Sequence, residues 1–274
     1  MKNIILTFCI VFLFSNCAST KNITYADYEY SIDLKFQEIQ EFNFPAMEIT
    51  INNKIIYAVY NTGQYINTIN KNLLLEMNID VENKTEIVID QIIITNGLIM
   101  NNIVFKIIDK EDSIIKIHLG TSIFNGYNVL VSLNQNRILL YNINEIPNIV
   151  NSWVMVESAY PKEGLYAYGR LDGSSKSYLF NLGTSTTLYI GKPFNRHYSI
   201  GLDMKMPITS LFKNTISLGN KNFKNIYFFN SLSDEDKKQY NIENVKTDII
   251  LGYNFFLKYD LFIDNKNKII YLLK

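Results

Sequence analysis

The chain has 274 residues, enough for two lobes of ordinary size that each bury a core, and hydrophobic residues make up 47% of it against 19% charged. With only 5 prolines and an abundance of Ile, Tyr, Phe and Asn, this is a globular, strand-prone composition that excludes a disordered or low-complexity chain. Lys plus Arg and Asp plus Glu balance at 26 each, so no overall field draws in a polyanion and nucleic acid is excluded as a partner; the only cysteines, Cys9 and Cys17, leave the body without an internal disulfide or a thiolate metal site.

Lys2, the apolar run Ile4 to Phe14 and then Ser15-Asn16-Cys17 follow the charged, apolar and cleavage-region order of an export signal over residues 1–16. The run is too short to span a bilayer comfortably. The placing of Cys17 resembles a bacterial lipobox, although Asn16 departs from the small residue usual before the cysteine. That resemblance implies lipidation of Cys17 as the mature first residue, and an exported lipoprotein held on a membrane of the cell envelope. Residues 17–40 are polar and tyrosine-rich and read as a tether.

Beyond the tether, short alternating or wholly apolar runs are punctuated by Asn-Gly, Asn-Asn and Gly, which predicts an all-β chain. Two signatures each occur twice, in the same order. The first is a strand running into a turn: Tyr57-Ala58-Val59-Tyr60-Asn61-Thr62-Gly63, and Tyr178-Leu179-Phe180-Asn181-Leu182-Gly183-Thr184. The second closes each half: His118-Leu119-Gly120 leading to Tyr127 and Val129-Leu130-Val131, and Ile250-Leu251-Gly252 leading to Tyr259 and Leu261-Phe262-Ile263. Last strands then follow, Arg137 to Tyr141 and Lys268 to Leu273, the first copy reading as one residue longer. Between the signatures each half offers a hairpin, turning at Asn96-Gly97 and at Gly219-Asn220. The repeat divides the chain into lobe 1 at 41–145, a connection at 146–160 and lobe 2 at 161–274.

A strand ending in Asp-Thr/Ser-Gly, then hairpins, then Leu-Gly and a closing strand-turn-strand, is the order of one lobe of the retropepsin and pepsin-like aspartic proteases, and this chain resembles that family over nearly all of residues 42 to 274. The resemblance implies an all-β fold of two duplicated lobes in one monomeric chain, with a cleft between them that accepts extended peptide. It implies a flap hairpin near Asn96-Gly97 over the cleft, and no cofactor. In the family the two aspartates share a proton, one activating water while the other polarises the carbonyl. Here Asn61 and Asn181 stand at those positions, and a carboxamide has no titratable group near neutral pH. Thr62, Gly63, Gly183 and Thr184 keep the supporting turn residues, whereas Leu182 replaces the hydroxyl of the second lobe, and Gln64 and Tyr65 also depart from the pattern.

The expectation is therefore a pseudo-protease that binds a peptide or protein in its cleft. The alternatives are an active peptidase using an unrecognised acid, and a surface lipoprotein whose partner binds outside the cleft. Asp90, Asp172, Asp248, Asp260 and Asp264 read as turn or strand-end residues, and His118 and His197 lack a serine or cysteine elbow. Ser233 to Lys238 reads as a capped helix start, and Trp153 as interlobe core.

Overall fold

The computed structural model describes residues 24–39, 42–109, 115–156, 158–159, 164–183, 188–189, 211–230 and 247–273. Residues 1–16, read as an export signal, and Cys17, Thr184, His197 and the Ser233 to Lys238 segment lie outside the described residues.

The asparagines of the sequence shape the turns. Strand β3 (Phe42–Ile51) meets β4 (Lys54–Tyr60) through Asn52-Asn53, both in the left-handed region at φ 49° and 60°. Two left-handed central residues make the type I′ turn whose twist matches its strands, and Asn tolerates that region better than most residues. At the corresponding place in the second half, β13 (Leu165–Leu171) meets β14 (Ser174–Phe180) through Asp172 and Gly173, at φ 49° and 79°. The hairpin expected at Asn96-Gly97 joins β6 (Glu86–Ile94) to β7 (Leu98–Ile108), and that at Gly219-Asn220 joins β16 (Leu211–Leu218) to β17 (Lys221–Asn230).

The remaining strands complete two sheets of identical connectivity. With β2 (Lys35–Ile39), β5 (Asn67–Asn70) and β8 (Ile117–Leu119), the first has the order β2-β3-β4-β8-β5-β7-β6, and β3 pairs again with β6 so that the sheet curls on itself. With β12 (Ser158–Ala159), β15 (Leu188–Tyr189) and β18 (Ile249–Leu251), the second runs β12-β13-β14-β18-β15-β17-β16, with β13 pairing again with β16. Within each, two pairs are parallel: β4 with β8 and β5 with β7, and then β14 with β18 and β15 with β17. The fold is all-β, duplicated as expected.

A third, six-stranded sheet belongs to both halves. Its order is β1-β10-β9-β19-β20-β11, made of β1 (Tyr30–Asp33), β9 (Tyr127–Ser132), β10 (Arg137–Asn142), β11 (Val154–Val156), β19 (Leu261–Asp264) and β20 (Ile269–Leu272). The halves meet at its centre, where Leu130 of β9 faces Phe262 of β19. Strand alternation gives this sheet two faces. Val129, Val131, Leu261 and Ile263 turn into the main core shared by both lobes, while Leu130, Leu139, Tyr141 and Phe262 turn outward into a second cluster with Tyr25, Val150 and Trp153.

Four expectations are corrected. The segment read as a tether is built into the fold from Tyr25 onward: Tyr25 is buried, β1 pairs with β10 and β2 with β3. Its polar composition hid this because only alternate residues, such as Ile32 and Leu34, face inward. Trp153 is core, but on the outer face of the six-stranded sheet rather than between the lobes. The closing turns have equal length, since Ser132 pairs with Arg137 and Asp264 with Ile269, and Lys268 sits in the turn at φ 60° as Asn136 does at φ 54°. Finally, the Asn96-Gly97 turn is no flap. Thr95 donates to Glu48 O of β3 from both N and Oγ1, and Asn96 Nδ2 donates to Ser31 O of β1, so this turn is tied down onto β3 and the six-stranded sheet.

Candidate functional site

The two Asn-x-Gly turns meet where β4 and β14 end. Asn61 N donates to Leu119 O at 2.8 Å and Asn181 N to Leu251 O at 2.9 Å, so each turn is hung from the Leu-Gly signature of its own half through the parallel strand beside it. Each carboxamide folds back on its turn: Gly63 N donates to Asn61 Oδ1 at 3.0 Å and Gly183 N to Asn181 Oδ1 at 2.8 Å. Those two bonds fix which end of each amide carries the oxygen.

The turns are pressed together across the interface. A Cβ on Gly63 would stand 2.4 Å from Asn181 Cγ, and one on Gly183 would stand 2.6 Å from Asn61 Cγ, so each glycine is the seat of the opposite asparagine. Thr62 is fully buried; its Oγ1 donates to Phe180 O at 2.7 Å and accepts from Leu182 N at 3.1 Å. Leu182, buried and without a hydroxyl, returns no such pair, so the interlock is one-sided. Leu165 N adds a further bond, to Thr62 O at 2.9 Å.

Lobe 1 adds two partners that the sequence reading passed over. Asn61 Nδ2 donates to Gln64 Oε1 at 3.2 Å and faces His118 Nδ1 at 3.4 Å. Because Asn61 presents a donor, His118 accepts at Nδ1, which is the neutral imidazole with its proton on Nε2. Burial pushes the His118 pKa down to about 4, in accord with that tautomer. A signal for His118 existed in the repeat. It occupies the place that Ile250 holds before the other Leu-Gly, and β8 pairs His118 with Val59, two residues from Asn61. Gln64 is held in turn by Ile66 O, to which its Nε2 donates at 2.9 Å.

The chemistry of this arrangement is that of neutral donors and acceptors. Neither carboxamide titrates, and the Thr62 hydroxyl is committed in both directions and so is no nucleophile. Three acids of the second half have structural roles. Asp248 accepts from Ser177 N at 2.9 Å, Asp264 accepts from Asn267 N at 2.9 Å, and buried Asp260 accepts from the Tyr25 hydroxyl. Among the described residues no group of three or more His, Cys, Asp or Glu side chains is placed to hold a metal.

The duplicated strand order, the crossed turns and the helical turns after each Leu-Gly, at Thr121–Phe124 and Tyr253–Phe256, define an all-β, retropepsin-like fold. Among solved structures the chain is similar to a retropepsin-like aspartic protease from Rickettsia conorii, at 18% identity and a TM-score of 0.32, over 41% of this chain and 89% of that one. No family model matches the sequence, and no curated protein matches it.

Proposed function

We propose that the protein is an exported bacterial lipoprotein, anchored through Cys17, whose interlobe cleft binds an extended peptide or protein segment without hydrolysing it. The observation that carries this reading is the pair of asparagines, each seated on the opposite turn's glycine and fixed by its own turn's amide. Cleft geometry of this kind persists without a carboxylate, whereas hydrolysis loses its general base, a contribution of about 10²–10⁴-fold by itself. The export signal and the position of Cys17 support the anchor.

The test is peptide cleavage by the native chain and by Asn61→Asp/Asn181→Asp across pH 3 to 8. In the variant, the carboxylate introduced at position 61 would face the His118 lone pair. The imidazole then takes a proton and forms an ion pair, which holds that carboxylate ionised and uncouples it from the one introduced at position 181. The expected result is silence from the native protein, weak cleavage from the double variant, and stronger cleavage once His118→Ile is added. Cleavage by the native protein overturns the reading.

One observation favours a second reading, a partner bound outside the cleft. Ile55, Thr50, Ile93 and Ile99 form a row across β4, β3, β6 and β7, with the three isoleucines exposed. The same row in lobe 2 is Ser175, Arg170, Ser217 and Asn222. A ligand lost on Ile93→Ser/Ile99→Asn but indifferent to changes in the cleft would establish it.

A further inference from the structure

The cleft and the N-terminal attachment lie on opposite sides of the six-stranded sheet, and this decides how the anchored protein stands on its membrane. Tyr25 packs edge-on against Trp153, with ring centroids 6.3 Å apart and planes at 72°, in the cluster on the sheet's outer face. Its hydroxyl donates to Asp260, a carboxylate that is itself buried and whose pKa burial raises. The chain is then locked onward, as Glu29 N donates to Leu140 O at 2.8 Å, Asn142 Nδ2 donates to Glu29 Oε1 at 3.1 Å, and β1 pairs with β10. The Asn61 and Asn181 turns belong to the lobes, which cover the other face.

We infer that the outer face of the six-stranded sheet, with Tyr25, Trp153 and the 3₁₀ turn Asn148–Ser152, is the membrane-proximal face, and that the cleft opens away from the bilayer. This rests on the reading of Cys17 as the lipid anchor. Tyr25 is eight residues on from Cys17 (25 − 17), and eight residues reach about 28 Å at full extension. A free tether to residue 40 would have allowed any orientation; pinning at Tyr25 shortens the leash and makes it leave from the outer face of the sheet, and the lobes stand beyond the sheet by at least one layer spacing, about 10 Å. The ligand of the cleft is therefore a chain reaching it from the aqueous compartment, not a segment lying at the surface of the same leaflet.

The full chain carries only Cys9 and Cys17, so an introduced thiol is unique once the signal is cleaved and Cys17 acylated. Exposed Asn151, on the 3₁₀ turn, and exposed Tyr65, beside the cleft turn, are each replaced by Cys and labelled with a fluorophore in the lipidated protein on vesicles of anionic phospholipid containing a nitroxide-headgroup lipid. The expected result is at least several-fold stronger quenching at Asn151→Cys than at Tyr65→Cys, with the difference shrinking when Tyr25→Ala frees the pin. Equal or reversed quenching, in protein whose mass includes the acyl chains, overturns the orientation and leaves the anchor standing. A mature mass without acyl chains overturns the anchor, and the orientation with it.

Discussion

Thr62 is the residue on which the two turns depend most. Its hydroxyl satisfies Phe180 O and Leu182 N together, at a buried seam where water does not substitute. Thr62→Val keeps the shape and orphans both groups, at about 1–3 kcal/mol each. The expected outcome is a loss of about 2–6 kcal/mol, read as a lower urea midpoint with an unchanged slope. His118 makes the pH-dependent counterpart. Its folded pKa, about 4, lies below the ordinary 6.5, so the unfolded chain takes up the proton first. Its share of stability is constant above about pH 6.5 and is lost progressively as pH falls from there toward 4. Buried Asp260 acts with the opposite sign: its raised pKa makes the folded chain bind the proton first. Comparing native protein with His118→Ile isolates the histidine, and the variant should lose less stability between pH 7 and pH 4.5. Equal losses would show that His118 does not feel the burial that its surroundings impose. Asn61 and Gly63 were legible in the sequence because they recur as Asn181 and Gly183, and Thr62 because the family resemblance expects a hydroxyl between them. His118 and Gln64 were not, because one copy alone carries them and the contact from Asn61 to His118 joins strands 57 residues apart.

At the scale of elements, what the chain spells out locally is what could be read: each hairpin announces itself by an Asn- or Gly-bearing turn between apolar runs. The parallel pairs β4 with β8 and β5 with β7 have no local turn to mark them, and these pairs bring the Leu-Gly signature beneath the asparagine turn. The same blindness misplaced the flap, since a turn's residue types predict its shape but not what it packs against. The crossing of the two turns is equally non-local, and glycine is its condition. Gly63→Ala would drive a methyl to 2.4 Å from Asn181 Cγ, a side chain already held by Gly183 N. Overpacking of this sort costs about 1–3 kcal/mol, and here it pushes the lobes apart at the cleft. The expected signature is a fall in the denaturation midpoint together with loss of any peptide binding. Gly173→Ala, in a turn with open space around its Cα but at φ 79°, should cost stability while leaving binding intact.

The whole molecule is duplicated in pattern yet single in its core. The main hydrophobic cluster runs without a break from Ile32 and Met47 through Val129 and Ile263 to Leu272, and the six-stranded sheet takes β1, β9 and β10 from one half and β11, β19 and β20 from the other. Cutting between the halves would strip β9 of β19, bare Leu130 and Phe262, and leave the Thr62 hydroxyl facing no partner turn. Neither half then retains a closed core, so the lobes should unfold together, not in sequence. Trp153 is the chain's only tryptophan and reports from the outer face of the shared sheet, whereas far-UV circular dichroism reports on strands of both lobes. Urea curves from the two probes are expected to superimpose. A tryptophan transition displaced from the dichroism transition would mean that the shared sheet opens independently of the lobes, and the interface at Asn61 and Asn181 would then be a docking of two separable folds instead of the middle of one.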